Sequence, residues 1–279
     1  MRTMIKQIPL VKQVYQQIKK AKYKRKEAEY KRKFETDCYS CFWGVFETFE
    51  QAKQAAPSTK TIGYDNADLA QEYQQMLEQN NWEGSGQTIR PHDYPALFWL
   101  KSVLSDECNR VFDFGGNVGV HYYAYSNYLN YSDSLEWTVC DLPEIVKAGK
   151  ELAESRFEKK LFFTTNLSDI SNHDILIASG SVQYIEDLAQ LLSTHKKIKH
   201  LLINRLPLYE GKRFVTLQNG GRVFYPQYVF NKTEFIEGLR SLGYELVDIW
   251  QDTGNSCIIP FHPEQSIPFY YGMYLKLKL

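Results

Sequence analysis

An apolar run from Arg110 to Phe114 breaks at once into Gly115-Gly116-Asn117-Val118-Gly119, and the residues after it, 118–130, read as a helix. Such a strand, turn and helix N-terminus brings backbone N–H groups together where glycine lets a ligand approach the main chain. Twenty-two residues beyond Gly119, a second apolar run from Leu135 ends in Val139-Cys140-Asp141-Leu142-Pro143. A carboxylate at that distance, closing the next strand, stands where α/β folds hold ribose hydroxyls. The two segments predict a nucleoside-containing ligand at the carboxyl edge of a parallel sheet.

The dinucleotide pattern G-x-G-x-x-G would need glycine at 114, 116 and 119, and Phe114 breaks it. The frame also fits D-x-G-x-G-x-G, with Asp113, Gly115 and Gly119 in place and Asn117 at the middle glycine. Asn is the residue other than Gly that best tolerates positive φ, so the replacement is mild. An acid leading the loop would repel a pyrophosphate but suits a ligand carrying an ammonium and a sulfonium. S-adenosylmethionine is such a ligand. A nicotinamide-dependent oxidoreductase is the rival enzyme reading, disfavoured by Phe114. A non-catalytic nucleoside-cofactor-binding protein stays open because no clear general base stands out.

At these residues the chain resembles class I S-adenosylmethionine-dependent methyltransferases. The Asp113-Phe114-Gly115-Gly116 turn and Asp141-Leu142-Pro143 resemble small-molecule O-methyltransferases. The wider pattern resembles a narrower group of uncharacterised bacterial methyltransferases. It runs through Phe42 to Phe46, Gly63-Tyr64-Asp65, Asp93-Tyr94-Pro95, Asp113 to Tyr123, Ser179 to Asp187 and Tyr225-Pro226. The resemblance spans roughly residues 40–250 and implies a doubly wound, seven-stranded Rossmann-like α/β sheet whose last strand runs antiparallel. It also implies a small-molecule acceptor, O-methylation, and surface-polysaccharide or related sugar metabolism as context. It names no acceptor.

Short apolar strands are expected near 110–114, 135–141, 161–165, 174–179, 199–204, 244–250 and 271–278. Helices are expected near 118–130, 143–156, 187–197 and 231–242, with two earlier ones at 67–79 and 95–104. The chain then divides into a basic helical arm at 1–35, a helical cap at 36–95 and the Rossmann-like domain at 96–279. Residues 214–225 read as a β-hairpin turning at Asn219-Gly220, inserted after the fifth strand as a lid or acceptor wall.

Five Cys, unevenly spaced, do not make a secreted disulfide framework; Cys38 and Cys41 read as ordinary thiols in a reducing cytoplasm. No cluster has metal-ligand spacing, no apolar run is long enough to span a bilayer, and no signal peptide is apparent, so a cytoplasmic protein is expected. Residues 1–35 carry 12 Lys or Arg against three Glu, a net of +9, and since the whole chain is neutral the remainder carries −9. With Ile5, Leu10, Val11, Val14, Tyr15 and Ile18 as an apolar stripe, the arm reads as a solvated helix or as a patch for an anionic membrane surface. No aromatic array interleaves with the charges, so nucleic acid is not expected. The oligomeric state is left open.

For the cofactor, Gly115, Gly116, Asn117 and Gly119 are expected along the methionine part, with Asp113 orienting its ammonium through the loop or water. Asp141 is expected on the ribose, with Leu142 beside it, and Asn166 and Leu167 near adenine. Ser179 and Gly180, at the end of the fourth strand, would face the amine, and Tyr94 is included from the Asp-Tyr-Pro likeness. The acceptor side is assigned to Gln183 and Tyr184, to His121 as base or cofactor contact, and to Arg205 for an acidic acceptor. His173, His195 and His200 read as solvated.

Overall fold

The computed structural model describes residues 9–36, 38–79, 89–195 and 198–278; Ile5 and the turn-rich stretch 80–87 lie outside them. The seven expected strands form at β3 (Arg110–Phe114), β4 (Glu136–Cys140), β5 (Leu161–Thr164), β6 (Ile175–Ser179), β7 (His200–Leu206), β11 (Tyr244–Asp252) and β12 (Tyr270–Leu277). They lie in the order β11-β12-β7-β6-β3-β4-β5, parallel from β7 to β5, with β12 antiparallel to both neighbours. β3, β6 and β7 are nearly continuous apolar runs because both faces are covered. The covering helices are α4 (Tyr94–Val103), α5 (Val120–Tyr125), α6 (Pro143–Ser155), α7 (Leu188–Ser193) and α8 (Lys232–Ser241). α6 shows why the spacing works: Ile145, Val146, Ala148, Gly149, Leu152 and Ala153 recur on one face and are the buried ones. The direction of strand winding reverses between β3 and β6, and ligands in such sheets bind in the crevice outside that point.

The segment expected to be a helical cap carries strands as well. Besides α2 (Phe49–Gln54) and α3 (Ala67–Glu78), it contains β1 (Cys41–Phe46) and β2 (Thr61–Ile62). These join the hairpin strands β9 (Phe214–Asn219) and β10 (Val223–Asn231), and β8 (Leu208–Tyr209), in a second, five-stranded sheet ordered β1-β9-β10-β2 with β8 also on β10. The hairpin is therefore the centre of a sheet. Val215, Leu217, Val223 and Phe224 are fully buried in it, so it is a structural pair and no detachable lid. The helical reading of 36–95 fails because β1 is completed only by a partner about 170 residues later in the chain.

The arm is one helix, α1 (Pro9–Glu35), fastened at its C-terminal end where Phe34 packs on Phe224 and Leu217. Asn219 ties it to the hairpin: its amide donates to the Phe34 carbonyl at 2.6 Å, and its side-chain oxygen accepts from Gly221 N–H and Lys60 Nζ, both at 2.9 Å. Asn219 is wholly buried. Asn219→Ala should lower unfolding free energy by about 1–3 kcal/mol, the cost of stranding buried polar groups, as read by denaturant titration. Cys38 and Cys41, expected as thiols, are joined by a disulfide; the turn between them brings their Cα atoms to 5.5 Å, within bridging range.

Candidate functional site

The loop after β3 is shaped by three left-handed residues, Gly115 (φ 69°), Asn117 (φ 57°) and Gly119 (φ 93°). Asn117 thus stands in for a glycine, and its side chain accepts from Val118 N–H at 2.8 Å. At Gly116 the requirement is space, since a Cβ would lie 2.4 Å from Cγ of Asp113. Asp141, at the end of β4, reaches this loop: Oδ2 accepts from Asn117 N–H at 2.9 Å and Oδ1 from Leu142 N–H at 2.8 Å. Burial raises its pKa to about 6, although those two backbone donors pull it down; Asp113 and Asp65 add to the rise. It is no helix cap for α6. That work falls to Asp65, which accepts from Glu144 N–H at 3.1 Å across 79 residues of chain.

The Asp113 carboxylate is completely buried, with His121 Nδ1 3.1 Å from both oxygens and Trp137 Nε1 donating at 3.2 Å. It faces into the protein and is committed to these two rings, so any effect on a ligand ammonium would pass through the loop it supports beneath Gly116. A carboxylate cannot donate, so the proton between them sits on Nδ1 and leaves Nε2 of His121 as an acceptor. Burial works against charge on His121, but contact and hydrogen bonding with Asp113 outweigh it and its pKa rises. His121, expected from the sequence as base or cofactor contact, is thus held by Asp113 in the arrangement that a base requires.

Across the crevice, β6 ends in Ser179 and Gly180 (φ 71°), followed by a short 3-10 turn at Val182–Tyr184. Ser181 Oγ donates to the Phe114 carbonyl at 2.6 Å and pins this turn to the glycine loop. Three buried polar atoms nearby have no hydrogen-bond partner among the described residues: Ser179 Oγ, Gln183 Oε1 and Tyr125 OH. Tyr184 shares a hydrogen bond with Tyr64 at 3.0 Å and meets Tyr225 of the hairpin edge-on. Burial pushes its phenol up to about 12, so at neutral pH it serves as a donor and not as a base.

Arg205 sits on a bulge of β7, in the left-handed region at φ 54°, beside Gly180. The bulge turns it out of the strand alternation toward the same edge. Its guanidinium donates to Asn255 at 3.3 Å, and Asn255 donates in turn to Asp252 at 2.6 Å. Asp252 lies 3.5 Å from His92, which is 3.7 Å from Asp93. None of His92, Asp93, Asp252 and Asn255 stands out from the sequence. Pro95 lies in the first turn of α4 and Tyr94 is half-exposed, edge-on to Tyr128, while His92 and Asp93 turn inward.

Leu142 is exposed beside Asp141. After β5, Asn166 caps its own turn by accepting from Ser168 N–H, and Leu167 packs on the core. Both stand at the strand end expected for them. His173 and His200 are not solvated: each is hydrogen-bonded, and burial lowers both pKa values, that of His200 to about 4. His195 is half-buried and bonds the Leu191 carbonyl. A separate cavity of about 920 Å³, lined by Phe46, Arg213, Phe230 and Phe235 among others, includes none of the loop residues.

No family model and no curated protein matches this chain. Among solved structures it is similar to a 1,6-didemethyltoxoflavin-N1-methyltransferase from Burkholderia thailandensis, with 15% identity over 80% of this chain and 95% of that one, at a TM-score of 0.45. It is also similar to a SAM-dependent methyltransferase from Aquifex aeolicus, with 11% identity over 76% and 99% at a TM-score of 0.47. The [4+2]-cyclase SpnF is similar in the same measure, with 11% identity over 79% and 98% at a TM-score of 0.48.

Proposed function

We propose that the protein is an S-adenosylmethionine-dependent methyltransferase that acts on a hydroxyl of a small molecule. The observation that carries this is the switch-point crevice itself. The left-handed Gly115–Gly119 loop and the Ser179–Gln183 turn flank it, Ser181 ties the two together, and Asp141 closes the next strand. These residues fit the cofactor. Asp141 would accept from the ribose hydroxyls, the glycine loop would leave room for the methionine part, and Ser179 and Gly180 would face its amine. The bound cofactor supplies a sulfonium methyl group for in-line displacement.

The chain's own residues then have alignment and one proton to manage. Nε2 of His121 takes the acceptor's hydroxyl proton, and Asp113 holds the ring in the required tautomer and offsets the charge it gains. Gln183 and Tyr184 orient the acceptor as acceptor and donor. The likeness to O-methyltransferases supports oxygen as the methylated atom, and surface-polysaccharide metabolism is the context it favours.

Titration calorimetry tests the reading. S-adenosylhomocysteine and S-adenosylmethionine should bind saturably while NAD gives no heat. Saturable NAD binding with no response to either adenosyl ligand would sink it.

A further inference from the structure

We infer that α1 is a docking element for an anionic bilayer surface, lying in the interface with the side of the helix that faces away from the protein. Three rings fasten the helix to the body: Tyr23, whose hydroxyl donates to the Phe261 carbonyl, Tyr30, which donates to the Phe42 carbonyl, and the buried Phe34. At about 100° per residue these three share one side of the helix. Val14 and Ile18 fall about 120–180° round from them, on the opposite side. They are 50% and 61% exposed, with Tyr15 at 52% next to them. Val14 and Ile18 therefore do not continue the seam that packs α1 on the protein.

The same outward side continues with Arg25 and Arg32, Lys22 and Glu29 lie on its flank, and Lys19 and Lys20 fall nearer the side of the three rings. All five of these cations are exposed. The cations lie round the whole helix, so its attraction to a surface is chiefly electrostatic; the exposed apolar groups at its tip can enter the acyl boundary while the basic heads stay at the phosphates. Charge chooses the occupant, since the +9 of residues 1–35 is complementary to an anionic surface. Contact would be interfacial because no helix among the described residues is long and apolar enough to cross a membrane. This docking does not depend on the chemistry of the crevice.

Co-sedimentation of the full chain with vesicles is the test. Phosphatidylcholine vesicles containing phosphatidylserine should pellet the protein at low salt, and phosphatidylcholine alone should bind it about tenfold more weakly or less. Val14→Glu with Ile18→Glu should weaken anionic binding about tenfold. Lys19→Gln, Lys20→Gln, Lys22→Gln and Arg25→Gln together should do the same and flatten the salt dependence. All six side chains are exposed, so melting temperature should hold. Equal pelleting by both vesicle types, no pelleting, or pelleting indifferent to the substitutions overturns the inference. So does a concentration-dependent dimer abolished by Val14→Glu with Ile18→Glu, which would make a second copy the partner. RNA oligonucleotides that bind more tightly than the anionic vesicles would overturn it as well.

Discussion

Asp113→Ala should lower the unfolding free energy by about 3–5 kcal/mol, the usual cost of removing one partner from a buried ion pair. The carboxylate has no exposure and two dependants, the His121 imidazole at 3.1 Å and the Trp137 indole N–H at 3.2 Å. Alanine would leave both donors without an acceptor and open the space above Gly116 that the carboxylate fills. For a chain of this size the drop should appear as a fall in Tm of about 2–4 °C per kcal/mol. Asp113→Asn should cost less, since its oxygen can still accept from Trp137. A Tm for Asp113→Ala within a degree or two of the parent would show that the pair carries no strain-free stabilisation worth the name.

The pair also makes stability depend on pH with a definite sign. His121 has a folded pKa above its ordinary value, because Asp113 outweighs burial. Its charge-dependent contribution is therefore complete below the unfolded imidazole value of about 6.5 and fades as pH rises through the folded value. The gap in stability between the parent and His121→Gln should narrow with rising pH across that window. The same titration bears on catalysis, since His121 can take a proton only once its own has left.

How much of this was legible beforehand depended on whether a residue's surroundings lay near it in sequence. The seven strands of the main sheet could be placed because each is a short segment with apolar residues bounded by turns, and β3, β6 and β7 at its centre are apolar almost throughout. Asn117 in the left-handed region followed from its place in a glycine frame. The cap was misjudged because β1 contains Gly44 and β2 has only two residues, both exposed, so neither has a pattern of its own. They exist through pairing with β9 and β10. Asp93 and His92 turn inward at the start of α4, and no local pattern shows which of two adjacent side chains at a helix start does so. The burial of Asp113 escapes a local reading for a related reason: Trp137, 24 residues on, supplies a partner that draws it inward.

Asp141→Ala should weaken S-adenosylhomocysteine binding by about 2–4 kcal/mol, roughly 30- to 1,000-fold, through loss of charge-assisted hydrogen bonds to ribose. The fold should survive, since the two N–H groups released, Asn117 and Leu142, lie at the crevice edge. Burial gives this carboxylate a pKa of about 6 in the free protein. Ribose hydroxyls donate to the ionised form, so binding must lower that value. Affinity should therefore climb with pH by up to about tenfold per unit below 6 and level off above it. In Asp141→Ala that slope should vanish. The buffer-corrected pH profile separates this from loop damage: a variant that binds weakly yet keeps the parent's slope would place the titrating group elsewhere, and a parent with no slope between pH 5 and pH 7 would remove Asp141 from the ribose.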